Sequence, residues 1–443
     1  MKDFIKKLSD IWKIDELRQR ITITVTLILI YRVGSYVVLP GVNTEMLTGP
    51  NNAIAELLNL FAGGAFSRAS VFALGIMPYI SASIIMQLAG IAIPSVQKMQ
   101  REGESGRRKV NQWTRFLTIA ICAFQAPGYI ATTVPAGAHP DTGFWWFSTV
   151  LTLIAGTMFI MWLGERITDK GLGNGISLII MIGIIASLPS AFVKELVARH
   201  DNGGFVLLLV EIALLLLVIL ATILLVQGTR RIPFQSAKRI VGARGGRQMQ
   251  MGGVRQYIPL KVNAAGVMPI IFAQAIMFVP VYVGQLTEST FFNEFANIQG
   301  FWYNFVFAIL IILFTYFYTA IMVNPNQMAD DMKRNGSFIP GVKPGRKTSE
   351  FIDSLLSRIT LPGSIFLAIV AILPAFAMKF GVKQEFAMFY GGTSLLIMVG
   401  VVLDTLQQIE THMVGRNKEG LMKSGKIKGR SGGSMPGGMT GGM

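Results

Sequence analysis

The chain has 443 residues, of which 52% are hydrophobic and only 14% charged, with a formal net charge of +16. Soluble domains carry about 25% charged residues, and here the deficit is concentrated in long charge-free runs, which excludes an ordinary soluble globule. The single cysteine, Cys122, cannot close an intramolecular disulfide, and one cysteine with three scattered histidines leaves no metal-binding spacing, so neither a metal nor a cofactor is expected.

Residues 1–20 are basic and amphipathic in pattern. The apolar run that follows ends in Val-Val-Leu-Pro-Gly without a small-x-small cleavage site, so the first span is expected to stay as an anchor. A helix needs about 20 mostly apolar residues to cross the hydrocarbon core. Ten runs meet that length: 21–40, 72–93, 116–134, 146–164, 174–192, 205–227, 264–284, 302–323, 359–378 and 386–403. Without water, each must satisfy its backbone internally, which means helix.

Between the first two runs lies 53–70, apolar at helical spacing (Ile54, Leu57, Leu58, Phe61) and then broken by Gly63-Gly64, with Arg68 beyond. It is too short to span. It reads either as an amphipathic helix on the outer interface or as a re-entrant segment, which survives at membrane depth only inside protein or a wet cavity. The run Gly171-Leu-Gly-Asn-Gly175 follows no strand, and is expected to be a tight turn feeding a helix rather than a nucleotide loop.

With ten spans both termini share one side. Six Lys and Arg (Arg32, Arg68, Lys194, Arg199, Lys379, Lys383) fall elsewhere, and the other 34 of the 40 lie on the terminal side. By the positive-inside rule that side is cytoplasmic. Two of its loops, 228–263 and 324–358, are longer than orientation requires; they serve topology alone or form a cationic platform for an RNA-rich or acidic partner. The tail from Ser431, rich in Gly and Met, buries too little to fold.

Five and five spans make the second half inverted relative to the first. Among ionisable groups, Arg32, Glu211 and Asp404 fall within or at the end of runs, each also consistent with simple helix packing, and no pair of mid-span acids marks an ion site. No phosphate-binding loop, zinc-protease motif or nucleophile elbow occurs. Passage driven by a partner is therefore expected, not catalysis, with a small-solute secondary transporter as the alternative.

Specific motifs then identify a family. Phe66-Ser-Arg-Ala-Ser-Val-Phe-Ala-Leu-Gly-Ile-Met-Pro-Tyr-Ile-Ser-Ala-Ser83 and Gly164-Glu-Arg-Ile-Thr-Asp-Lys-Gly-Leu-Gly-Asn-Gly-Ile-Ser177 resemble the two signatures of SecY, the bacterial protein-conducting channel. Arg101-Glu-Gly-Glu-Ser-Gly-Arg-Arg108, Val262-Asn-Ala-Ala-Gly-Val-Met-Pro269 and Gly391-Gly-Thr-Ser-Leu-Leu396 match in order along nearly the whole chain.

The resemblance implies an all-α membrane protein with ten transmembrane helices in two inverted, pseudo-symmetric halves of five. These would be 21–192, with 53–70 as a short re-entrant plug helix, and 193–415, flanked by the cytoplasmic segment 1–20 and a disordered cytoplasmic tail, 416–443. It implies a pore ring of Ile76, Ile80, Ile176, Ile180, Ile271 and Ile397, although an isoleucine in such a helix is ordinarily packed or lipid-facing. Within the ring, 76/80 and 176/180 are i,i+4 pairs on one helix face.

A lateral gate would lie between runs 72–93 and 264–284, with Gln87, Gln125 and Asn263 along its seam. The resemblance also implies partner-docking loops carrying Arg230, Arg231, Lys238, Arg239, Arg244, Arg247, Lys343, Arg346 and Lys347. At the tip Ile339-Pro-Gly-Val-Lys-Pro-Gly345, Lys343 stands where the family has arginine, keeping the charge without the planar fork. The other loop reads Gly242-Ala-Arg-Gly-Gly where paired arginines are typical. The partners implied are SecE-like and SecG-like small membrane subunits, the SecA motor ATPase, the ribosome, signal sequences and unfolded preproteins, membrane lipid, and SecDF-like and YidC-like accessory proteins, at the bacterial plasma membrane.

Overall fold

The computed structural model describes residues 12, 14–47, 59–140, 142–201, 204–236, 256–274, 276–277 and 300–423. Each of the apolar runs carries helix among its described residues. In the first half these are α1 (Asp15–Gly34), α2 (Met77–Ala92), α3 (Pro94–Arg101), α4 (Glu104–Thr133), α5 (Gly143–Lys170) and α6 (Gly175–Asp201). In the second half they are α7 (Phe205–Gln227), α8 (Phe301–Met322), α9 (Pro325–Arg334), α10 (Arg346–Lys379), α11 (Gln384–Ala387) and α12 (Gly392–Lys423).

Among the described residues six helices are long and apolar enough to cross a membrane, and a seventh if α2 and α3, bent by 103°, count as one. α1 and α4 carry runs 21–40 and 116–134, while run 264–284 is described as helix only at 268–274 and 276–277. The protein is thus an all-α, multi-span membrane protein. Leu207, Leu209, Leu217, Leu220 and Leu224 of α7 are all more than half exposed. Such a face makes sense only with lipid as solvent.

Several boundaries differ from the sequence reading. α1 stops at Gly34, and residues 37–39 leave the helix for the turn at 69–71, with Leu39 N–H donating to Ala69 O at 2.9 Å and Val71 N–H to Val37 O at 2.8 Å. α2 starts at Met77, with Pro78 in its first turn where a missing N–H costs nothing. α6 continues to Asp201, past the expected half boundary at 192, and α12 to Lys423, past the expected boundary at 415. The Gly171–Gly175 segment is the expected turn: Gly173 takes φ +77°, and the Asn174 carboxamide caps α6 by accepting from Ile176 N–H at 3.2 Å.

The largest departure is in the long loops. Strands β1 (Thr229–Ser236), β2 (Gln256–Lys261) and β3 (Ser337–Phe338) form an antiparallel sheet in the order β2-β1-β3. Loop 228–263 therefore pairs with loop 324–358, through Gln235 opposite Phe338. Ile232, Leu260, Met332, Ile339, Ile352 and Leu356 bury a separate small core beneath the sheet. Period-2 patterning this short is hidden inside basic, turn-rich sequence. α9 shows ordinary end chemistry: Asn324 caps it, Pro325 opens it, and Lys333 and Arg334 face its negative C-terminal end.

Close backbone approach sets the packing of the first half. A Cβ at Gly156 of α5 would lie 2.2 Å from Val71 O, in the turn that precedes α2. Gly156→Ala is expected to destabilise by about 1–3 kcal/mol through overpacking, whereas Gly143→Ala, which meets nothing within 4 Å, should be near neutral. Thermal unfolding of the detergent-solubilised chain distinguishes them, and equal midpoints would contradict the packing.

Candidate functional site

The site begins where the chain abandons helix. Residues 59–61 are helical, and 62–76 then run through turns. Gly63 and Gly64 adopt φ +61° and +84°, conformations that cost glycine little. Their position is also crowded: a Cβ on Gly63 would sit 3.0 Å from Gly183 Cα of α6. The helix therefore breaks there, and the chain turns back against the first half.

Irregular backbone inside a membrane protein must find partners within the protein. Arg32 Nη1 donates to Gly63 O at 2.8 Å, and Arg68 Nη2 donates to the same oxygen at 3.0 Å. Both guanidinium groups lie against the Tyr36 ring, at 5.2 Å and 4.3 Å from its centroid. Tyr129 Oη donates to Phe66 O at 2.7 Å. Asn59 Oδ1 accepts from Ser67 N–H at 3.0 Å. All of these partners belong to the first half or to the segment itself.

Of the six isoleucines assigned to a ring, five join one buried apolar cluster. Ile76, Ile180 and Ile397 are buried in it, and Ile80 and Ile176 pack against it half-buried. Leu60 and Phe61 of the re-entrant segment belong to the same cluster. Ile80 N–H donates to Ile76 O at 3.1 Å, so the pair stays one turn apart even though Ile76 is the residue before α2. Ile271 is half-buried and lies outside that cluster. Facing the second half, Leu60 and Phe61 help line a small open cleft shared with Gln274, Tyr303, Met388 and Thr393.

The seam residues are less united. Gln87 is half-buried on α2, Gln125 is exposed on α4, and Asn263 is buried with its Oδ1 lacking a partner among the described residues. No described hydrogen bond joins the three. In the loops, Arg230, Arg231, Lys343, Arg346 and Lys347 are exposed. The Ile339–Val342 turn has Pro340 and then Gly341 at φ +85°, with Val342 N–H donating to Ile339 O at 3.1 Å and the Ile339 side chain buried. Ile54, Leu57, Leu58, Lys238, Arg239, Arg244 and Arg247 lie outside the described residues.

Sequence reasoning flagged Arg32 only as a charge within an apolar run, and missed Tyr36 and Tyr129. The available signal was that lone arginine, since a cation there requires a partner. Asp404 is exposed and Glu211 is paired with Arg199.

A non-helical segment moored to one half, facing a second half across a cleft and packed with branched apolar side chains, belongs to a multi-span membrane protein. Comparison with known proteins narrows this. The SecY family model matches residues 70–406. The protein translocase subunit SecY of Thermotoga maritima is 40% identical over 435 residues, spanning 95% of this chain and 98% of its own length. A solved protein-conducting channel superposes with a TM-score of 0.62 at 18% identity, covering 93% of this chain and 95% of that one. The channel of a canine ribosome–channel complex from the endoplasmic reticulum gives 0.59 at 17% identity, with the same coverage. The chain belongs to the SecY family.

A hydrogen bond to a charged group is worth roughly 1.5–3 kcal/mol. Arg32→Met and Arg68→Met should therefore each loosen the 59–70 segment, speeding its amide hydrogen exchange by about tenfold or more, while α5 and α6 exchange as before. Unchanged exchange in both variants would mean that the arginines do not hold the turn.

Proposed function

We propose that this chain is the central protein-conducting channel of the general secretion pathway, passing unfolded polypeptides across the bacterial plasma membrane and releasing apolar segments sideways into lipid. The observation that carries the reading is the single cluster in which Ile76, Ile80, Ile176, Ile180 and Ile397 pack with Leu60 and Phe61. A collar of branched apolar groups dewets a narrow neck and impedes ions, and side chains yield to a passing polypeptide more readily than backbone would. Residues 53–70 act as the plug above it. The two halves meet after α6, at about residue 201 rather than at the expected 192, with 1–20, the docking loops and the tail from about 416 cytoplasmic, as the basic residues favour.

Gln87, Gln125 and Asn263 would mark the lateral gate. Polar contacts between membrane helices average only about 0.6 kcal/mol, and a partitioning segment gains roughly 0.3–0.6 kcal/mol per central Leu or Ile, so a few apolar residues suffice to displace them. Loops 228–263 and 324–358, paired through β1 and β3, would receive the SecA motor or the ribosome, and the canine relative's assembly with a ribosome supports that reading. SecE-like and SecG-like subunits would brace the channel, with SecDF-like and YidC-like proteins as accessories. The chain itself would supply passage and its partners the energy.

Two measurements test this. Ile80→Ser with Ile180→Ser should raise resting ion conductance in planar bilayers while leaving thermal stability nearly intact. If the pair instead loses about 2–5 kcal/mol per residue, as core truncations do, and conductance stays flat, the ring reading fails. Gradient-driven uptake of a small solute by this chain alone in proteoliposomes would favour the transporter alternative.

Lys343→Glu reverses an exposed charge at the docking tip. Expression should be unaffected while motor-driven export into inverted membrane vesicles falls. Equal losses of both would make the tip structural.

A further inference from the structure

α10 contains 34 residues, a length of about 51 Å at 1.5 Å per residue, against a hydrocarbon core of about 30 Å. Its apolar part, 359–378, fills that core, so 346–358 projects beyond it on the side of the docking tip. The tip joins α10 directly at Gly345, φ +97°, and Thr348 Oγ1 in the first turn donates back to Lys343 O at 3.0 Å. Midway, α10 touches the start of the seventh run: a Cβ on Gly363 would lie 2.8 Å from Val262 O, beside Asn263.

The far end of α10 is fastened to the other half. Arg199 of α6 donates through Nη2 to Gly381 O at 2.9 Å, just past the helix end. Its Nε donates to Glu195 Oε1 at 3.0 Å, and Glu195 Oε2 accepts from Lys383 N–H at 2.9 Å. Arg199 also pairs with Glu211 of α7. This is not a loose surface contact: the side chains of Arg199, Glu195 and Glu211 are 13%, 1% and 8% exposed. Nearby, Lys194 Nζ meets Glu385 Oε1 at 2.6 Å. A buried network of this kind is strong only when every member is present. It joins the last helix of the first half, the first helix of the second, and the end of α10.

We infer that α10 is a transmission rod, and that the Glu195–Arg199 knot fastens its far end to the first half, so that load on the 339–345 tip is carried through the membrane to the joint between the halves. The inference rests on the docking-loop reading of the tip. A helix packed along its length and held at both ends moves as a unit, whereas a free end would let load dissipate as fraying. Coupling then needs no residue that touches both sites. Arg199 and Glu195 are positioning residues in this scheme, remote from any passing chain.

The experiment uses the full chain with its small subunits in nanodiscs. Nitroxide labels are placed at Phe380→Cys and Val197→Cys, which are 82% and 52% exposed; Cys122 is buried and stays silent. The inter-label distance is read with and without bacterial ribosomes. Arg199→Gln breaks the knot. Lys383→Pro is the gentler variant, since Lys383 has φ −60° and would lose only its N–H donor.

In the unaltered knot the distance should be the same with and without ribosomes. In both variants it should lengthen and broaden only when ribosomes are bound, with cosedimentation unchanged. A shift in the unaltered protein, no shift in a folded variant, or full separation without ribosomes would each overturn the rod. Failure of ribosomes to cosediment with any form would instead overturn the docking reading on which the rod rests.

Discussion

Backbone polar groups at membrane depth have no water to turn to, and the 59–76 segment is where this chain meets that constraint most sharply. Between Phe61 and Met77 it gives up helical hydrogen bonding. The lost partners are replaced by two guanidinium groups on one carbonyl oxygen, a tyrosine hydroxyl on another, and two backbone bonds to residues 37–39. The consequences reach outward. α1 must end at Gly34 so that residues 37–39 can pair, and α5 and α6 must carry Gly156 and Gly183 where the turn presses against them. The first half is built around this segment.

The second half is built around length. Its three-stranded sheet, long α10 and the turn at 380–383 form a continuous path from the basic tip to the joint with α6. The 59–76 segment has its described polar moorings in the first half and meets the second across a mainly apolar cleft. The polar bonds of this segment thus lie within one half, and the polar ties between the halves are gathered instead at the joint of α6 with the end of α10.

Much of the fold was legible because lipid imposes a simple rule of length and apolarity. Every run of about 20 apolar residues carries helix, and the Gly171–Gly175 turn reads directly from its glycines and Asn174. The re-entrant segment was not decidable from its own residues, since an amphipathic helix on the interface has the same pattern. What distinguishes them is a set of partners at Arg32, Tyr36 and Tyr129, distant in sequence. The sheet escaped notice because β3 is two residues long and β1 pairs across more than a hundred positions. Ring isoleucines are indistinguishable from packing isoleucines by type; only the family motifs singled them out, and Ile271 lies outside the cluster that gathers the other five.

The proposed path runs through the middle of this cluster, with Ile271 bordering it. Cysteines placed singly at Ile80 and at Ile271 should both crosslink to a preprotein stalled midway across the membrane. A cysteine at Phe124, 82% exposed on the outer surface of α4, should not. Crosslinks at Phe124 without any at Ile80 or Ile271 would place the passing chain outside the cluster and contradict the account.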